Sequence, residues 1–207
     1  MINWVHPPAW LKNSFPQMVW EIPTSEKEIY LTFDDGPTPW VTPRVLALLL
    51  EYKAKATFFC QGSKIEQYPD LFEDVKAAGH TIGNHGYRHL SGFSTSLEKY
   101  TDNAKRGEEY SKSKLFRPPY GRITPWQMNR LKKDYRLVMW NIMSMDFNRK
   151  LSAEKCLRNV TANIKPGSIV VFHDSEQARE NVLQVLPLLL SWLDKNGYRT
   201  KTLEGIL

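Results

Sequence analysis

Two carboxylates stand side by side at Asp34-Asp35, at the end of the apolar run Leu31-Thr32-Phe33 and directly before Gly36-Pro37. Adjacent acids repel. A bound cation, a nearby arginine or plain solvent can each offset the repulsion, because an opposite charge within about 4–6 Å favours the ionised form. Further along, His85 and His89 are spaced i, i+4 within Asn84-His85-Gly86-Tyr87-Arg88-His89. If that segment turns helical, both imidazoles face one way and can grip one cation. Two neutral imidazoles and a carboxylate, with open positions for water, match the three-protein-ligand plan of catalytic zinc and suit a ferrous ion equally well. A metal held by one of the paired aspartates leaves the other free to act on a proton. Consecutive strand side chains point to opposite faces, so Gly36-Pro37 is the turn expected to reorient one of them.

Three further stretches carry reactive residue types. Arg117-Pro118-Pro119-Tyr120-Gly121 reads as a rigid loop, because the prolines fix φ, and Arg117 fits the part of ion-pair partner to a carboxylate base. Asp146 lies in Met143-Ser144-Met145-Asp146-Phe147. His173 and Asp174 end the very apolar run Ile169-Val170-Val171-Phe172. His6 and His80 are assigned to structure rather than chemistry.

The elements that must position these residues follow from hydrophobic periodicity. From Glu28 onward, short apolar runs at 29–33, 56–60, 81–84, 115–117, 137–142, 168–172 and 199–203 alternate with helical patterns, the mark of successive βα units. Thr42-Pro43 and Thr124-Pro125 read as helix cap and first helical residue, Thr95 with Glu98 as a capping box, and Ser152 as the cap of a helix carrying Cys156. Gly79 and Gly197 stand where helices end in a left-handed residue. Seven strands in this alternation leave an open doubly wound sheet or a small, incomplete α/β barrel. Either builds its site from loops leaving the carboxyl ends of the strands. The reactive residues obey that rule: each cluster falls at the end of a strand, so all share one rim. Residues 1–27 hold Trp4, Trp10 and Trp20 and four prolines without a sustained period, which predicts an extended arm pinned by aromatic anchors.

Composition bounds the reading. A chain of 207 residues, 42% apolar and 24% charged, is sized for one globular domain. Lys plus Arg number 28 against 22 Asp plus Glu, but no run of five basic residues occurs, so the excess reads as a solvated surface and no nucleic-acid partner is expected. Cys60 and Cys156 lack paired-motif spacing and read as core. The N-terminus shows no signal-peptide pattern, from which a cytoplasmic location is expected, with cell-envelope association left open. Nor does any apolar stretch reach the ~18 residues of a membrane span; the run at 182–193 is interrupted by Gln184, Pro187 and Ser191.

Taken in order, Thr32-Phe33-Asp34-Asp35-Gly36-Pro37, the His85/His89 pair, Arg117-Pro118-Pro119-Tyr120-Gly121 and Ile169-Val170-Val171-Phe172-His173-Asp174 resemble the polysaccharide deacetylases, carbohydrate esterases that remove acetyl groups from chitin-type and peptidoglycan-type sugars. The resemblance runs from about Glu28 to the C-terminus, implying a catalytic domain over 28–207 behind the 1–27 arm. It implies a distorted, incomplete (β/α) barrel of about seven strands and metal-dependent hydrolysis of an acetamide on an N-acetylated carbohydrate. It makes Asp34 the general base and Asp35, His85 and His89 the ligands of one divalent ion, with zinc expected and cobalt, nickel, manganese or iron left open. By the same resemblance Arg117 orients Asp34, the Tyr120 backbone N–H holds the oxyanion, and His173 is the general acid supported by Asp146. Two departures stand out. The family's Asp-x-x-Asp-Trp stretch is here Met143-Ser144-Met145-Asp146-Phe147, and Val171 stands where a leucine commonly lines the acetyl-methyl pocket. The alternatives are hydrolysis of another non-peptide amide and an idle glycan-binding domain. The latter would be expected to have lost Asp34, a metal ligand or His173, and none is missing.

Overall fold

A computed structural model of the chain describes residues 5–205, so Trp4 lies outside the described residues. The strands are β1 (Glu28–Asp34), β2 (Ala56–Cys60), β3 (Thr81–Asn84), β4 (Leu115–Phe116), β5 (Arg136–Leu137), β6 (Ile142–Met143), β7 (Ile169–His173) and β8 (Arg199–Thr200). The helices are α1 (Ala9–Ser14), α2 (Thr42–Glu51), α3 (Gly62–Gln67), α4 (Pro69–Ala77), α5 (Leu97–Ser111), α6 (Pro125–Leu131), α7 (Ala153–Thr161) and α8 (Arg179–Lys195). Strand order is β5-β4-β3-β2-β1-β7-β6, with β8 paired to the start of β1, and every pairing is parallel. The sheet curls into a half-barrel whose two edge strands, β5 and β6, are consecutive in sequence and do not pair with each other. The architecture is therefore the incomplete barrel.

Alternation along β1 explains how a polar site is built on an apolar strand. Ile29, Leu31 and Phe33 pack outward with Val45 of α2 and Val185 and Leu189 of α8, whereas Tyr30 joins the inner cluster with Phe59, Phe116, Leu137 and Val171. Thr32 and Asp34 share Tyr30's parity and so turn inward. The same count along β7 sends Val170 and Phe172 outward and Ile169 and Val171 inward, which gives His173 the inner face.

The expected strand over 137–142 is two short strands on opposite edges of the sheet. Residues 138–141 cross the open seam instead: Val138 N–H bonds to Phe116, Met139 N–H to Val19 of the arm, and the buried Asn141 accepts from Ile169 N–H through its side chain at 2.8 Å. Before β1 the chain is helical at α1 rather than extended throughout. Val19 bridges to Val138 and Glu21 to Ser168. Trp20 is buried with its indole N–H on the Phe15 carbonyl, whereas Trp10 is 62% exposed.

Two expected caps also differ. Thr42 opens α2 but does not cap it; its hydroxyl accepts from Thr38 N–H and donates to Asp174 Oδ2 at 2.6 Å. Ser96, not Thr95, caps α5, because the Thr95 hydroxyl is committed to the Ser91 carbonyl. Thr124 makes a full capping box with Gln127, and Ser152 caps α7. Gly79 and Gly197 adopt φ of 74° and 71°. Cys60 and Cys156 are buried free thiols. No helix among the described residues is long and apolar enough to cross a membrane.

Candidate active site

A cavity of about 260 Å³ opens at the carboxyl ends of β1, β6 and β7, lined among others by Asp34, Asp35, His85, His89, Tyr120 and His173. Asp34 is the last residue of β1. Asp35 has φ 79°, so the chain turns at the second aspartate itself, one residue earlier than the Gly36-Pro37 turn expected from sequence. The two carboxylates thereby reach different partners.

Asp35 Oδ1 lies 3.1 Å from His89 Nε2 and 3.7 Å from His85 Nε2, and the two imidazole nitrogens are 3.2 Å apart. A four-coordinate ion with bonds of ~2.0–2.1 Å sets its ligand atoms about 3.3 Å apart, so this triangle has the dimensions of a metal site. It is also the group of three possible ligands that the described residues bring together. The histidines do not meet through a helix. The segment after β3 is irregular, with Gly86 at φ 78°, and Asn103 of α5 holds it by bonding Tyr87 N–H, Arg88 N–H and the Arg88 carbonyl. His85 Nδ1 lies 2.8 Å from the Arg117 carbonyl. A carbonyl only accepts, so Nδ1 carries the proton and Nε2 turns its lone pair to the triangle. Burial, and then His85 beside it, push the His89 pKa down to about 4, leaving a neutral imidazole able to ligate. Gln61 donates to Asp35 Oδ1 at 3.0 Å.

Asp34 belongs to a different network. Arg117, fully buried one residue past β4, donates through one NH1 to Asp34 Oδ1 and to Thr32 Oγ1, each at 2.7 Å, and through NH2 to the Met139 carbonyl at 3.0 Å. Its guanidinium stacks 4.0 Å from the Phe59 ring centroid. Burial draws the Arg117 pKa down and the Asp34 carboxylate opposes that.

His173 Nδ1 meets Asp146 Oδ1 at 2.8 Å, and His173 N–H donates to Asp146 Oδ2 at 2.8 Å. Asp146 is fully buried and is itself fixed by the Ser144 hydroxyl and Phe147 N–H. Burial alone would lower the His173 pKa. The charge and hydrogen bond of Asp146, with Asp35 and Asp34 behind, outweigh it and raise the value to about 9. Asp174 is buried as well: Oδ1 has no hydrogen-bond partner among the described residues, and burial pushes its carboxyl up to about 6.

Tyr120 sits at φ 59° with its ring edge-on to His89, centroids 4.2 Å apart. Gly121 beside it must be glycine, since its φ is 63° and a Cβ would lie 2.5 Å from Trp140 Cη2. Val171 does not line the cavity; it is fully buried two residues before His173, and the apolar wall is made by Trp140, Met143 and Phe147. Phe147 packs edge-on to the His173 ring at 5.1 Å. Sequence reasoning missed Gln61, Trp140 and Met143. Gln61 follows the last residue of β2, so the strand-end rule could have found it. Trp140 fell inside what read as a strand, and nothing marked it as a wall.

Comparisons with known proteins place this geometry in context. The family model described as polysaccharide deacetylase matches residues 21–136. The chain is 37% identical over 198 residues to a peptidoglycan-N-acetylglucosamine deacetylase of Bacillus cereus, with 92% of each chain covered. It is 33% identical over 193 residues to a chitooligosaccharide deacetylase of Azorhizobium caulinodans, covering 89% of this chain and 87% of the other. Among solved structures, the Bc1960 peptidoglycan N-acetylglucosamine deacetylase, crystallised with a naphthalenyl benzamide compound, superposes with a TM-score of 0.88 at 28% identity, over 97% of this chain and 96% of that one.

Proposed function

The chain belongs to the polysaccharide deacetylase family, and from that premise we propose the following chemistry for its site. The protein is a hydrolase that removes acetyl groups from N-acetylated amino-sugar chains. The observation that carries the assignment of roles is the meeting, in one cavity, of a three-donor cluster with Asp34 and His173, each locked by its own buried partner.

Asp35, His85 and His89 would hold one divalent metal, zinc in our reading, which would supply Lewis-acid polarisation of the scissile carbonyl and acidification of water. Asp34 takes the proton of the attacking water. Arg117, engaging its Oδ1, keeps the carboxylate from swinging toward Asp35 and the histidines. The Tyr120 backbone N–H stabilises the oxyanion that develops on the carbonyl oxygen. With Nδ1 on Asp146, His173 presents Nε2 and gives its proton to the sugar nitrogen as the C–N bond breaks, releasing acetate and a free amine. Acid–base help of this kind contributes typically ~10²–10⁴-fold.

Metal content and turnover, measured together on two variants, test the roles. Asp34→Asn keeps about one metal per chain and loses at least ~10²-fold in kcat. His85→Ala loses both metal and turnover. The opposite pattern would overturn the division of labour.

A further inference from the structure

A second cavity, of about 440 Å³, adjoins the active-site cavity and shares Tyr120, Gly121, Trp140 and Met143 with it. Its far side is supplied by the stretch before β1, through Leu11, Phe15, Met18 and Trp20. The volume is that of a small-ligand pocket. Among the described residues Arg122 is the one charged side chain on its wall, and its guanidinium leans on the Tyr120 ring, 5.6 Å from the centroid. None of the three metal-site donors, nor Asp34, nor His173, reaches into this space.

We infer that this second cavity is an acyl pocket, and that the enzyme hydrolyses amides of amino-sugars whose acyl group is an apolar chain of about four to eight carbons as well as acetyl. The inference rests on the deacetylase reading above. The leaving nitrogen must sit beside His173, which lines only the active-site cavity, whereas the oxyanion donor Tyr120 belongs to both. An amide with its nitrogen at His173 therefore turns its acyl carbon toward the shared wall of Gly121, Trp140 and Met143. Beyond that wall the lining suits methylenes, each worth about fourfold in affinity when buried. A sugar there would bury most of its hydroxyls against leucine, phenylalanine and methionine, with Arg122 as the one charged partner on the wall, which is unfavourable. The longer acyl group changes nothing in the balance of the step. Water oxygen bonds the carbonyl carbon, its proton passes to Asp34, His173 protonates the nitrogen, and a carboxylate and an amine leave.

The test uses metal-loaded protein and glucosamine trimers N-acylated with acetyl, butanoyl, hexanoyl or octanoyl groups, with Leu11→Trp and Ile123→Trp as two independent ways of filling the cavity. We expect kcat/KM for octanoyl at least equal to that for acetyl, and an octanoyl-to-acetyl ratio reduced about tenfold or more by each variant. Tryptophan fluorescence of metal-free protein should show the octanoyl trimer binding about tenfold or more tightly than the acetyl trimer. Acetyl release without octanoyl release would overturn the acyl pocket while leaving the deacetylase reading intact. Octanoyl release with a ratio unmoved by both variants would overturn the cavity's role. So would variants whose effect grows with glycan length at constant acetyl, since the space would then hold sugar. Release of neither acid would remove the deacetylase reading and this inference with it.

Discussion

His173 holds its proton where a free imidazole would have lost it, because the buried Asp146 carboxylate faces it through both a hydrogen bond and a charge. The folded pKa of about 9 lies above the ordinary 6.5, so the pair's contribution to stability is complete below 6.5 and is lost as pH rises through about 9, and the general acid is lost over the same window. Asp146→Asn removes the charge and keeps the shape. The alkaline limb of kcat/KM should then move down by about one pH unit or more. A limb that stays in place would mean that another group sets it. These residues were the most legible part of the sequence: Asp34, Asp35, His85, Arg117 and His173 stand at or next to strand ends, where period-two alternation and the strand-end rule fix their direction. His89 was legible only by its spacing from His85, and for the wrong reason, since a loop held by Asn103 and not a helix turn unites them. Gln61, Trp140 and Met143 are ordinary residue types whose part depends on which loops face them, and residue type alone does not carry that.

The turn from β1 into α2 is the element on which the proposed metal site depends. A Cβ on Gly36 would lie 2.0 Å from Asp174 Oδ2, and Asp174 is fixed by Thr42, which also holds Thr38 N–H. Gly36→Ala therefore forces the turn away from Asp174 and carries Asp35 with it. Overpacking of this kind costs about 1–3 kcal/mol, and metal affinity should fall as well. Adding Asp174→Ala vacates the space and should restore part of both losses, read by chemical denaturation and metal titration. If the single variant binds metal as the wild type does, the turn does not govern Asp35. At this scale the sequence was half legible. The cap signals at Thr124 and Ser152 are local and hold, whereas Thr42 and Thr95 are drawn to partners brought near by the tertiary fold. The apolar run at 137–142 looked like one strand because nothing local announces that the barrel is open there.

At the scale of the molecule, parallel βα units were readable from alternating periodicities, and the choice between an open sheet and a barrel was not, since curvature is set by packing across the inner face. The inner cluster around Phe59, Phe116 and Val171 closes that face, and the stretch before β1 meets the seam through Val19 and Val138. The proposed metal triangle draws on the residue after β1 and on the loop after β3, so occupancy should stabilise the whole fold. Zinc at about 100 times its Kd contributes about 2.7 kcal/mol, a rise in Tm of roughly 5–10 °C for a chain of this size, and none in His89→Ala. An equal rise in that variant would place the ion elsewhere. The most direct measurement is of products: metal-loaded protein incubated with N-acetylglucosamine oligomers, acetate and new free amines counted in the same sample, with Asp34→Asn at matched metal content alongside. Acetate and amine should appear one for one with wild-type protein and stay at background with the variant. Wild-type protein that holds its metal and releases neither, or a variant as active as wild type, would contradict the account.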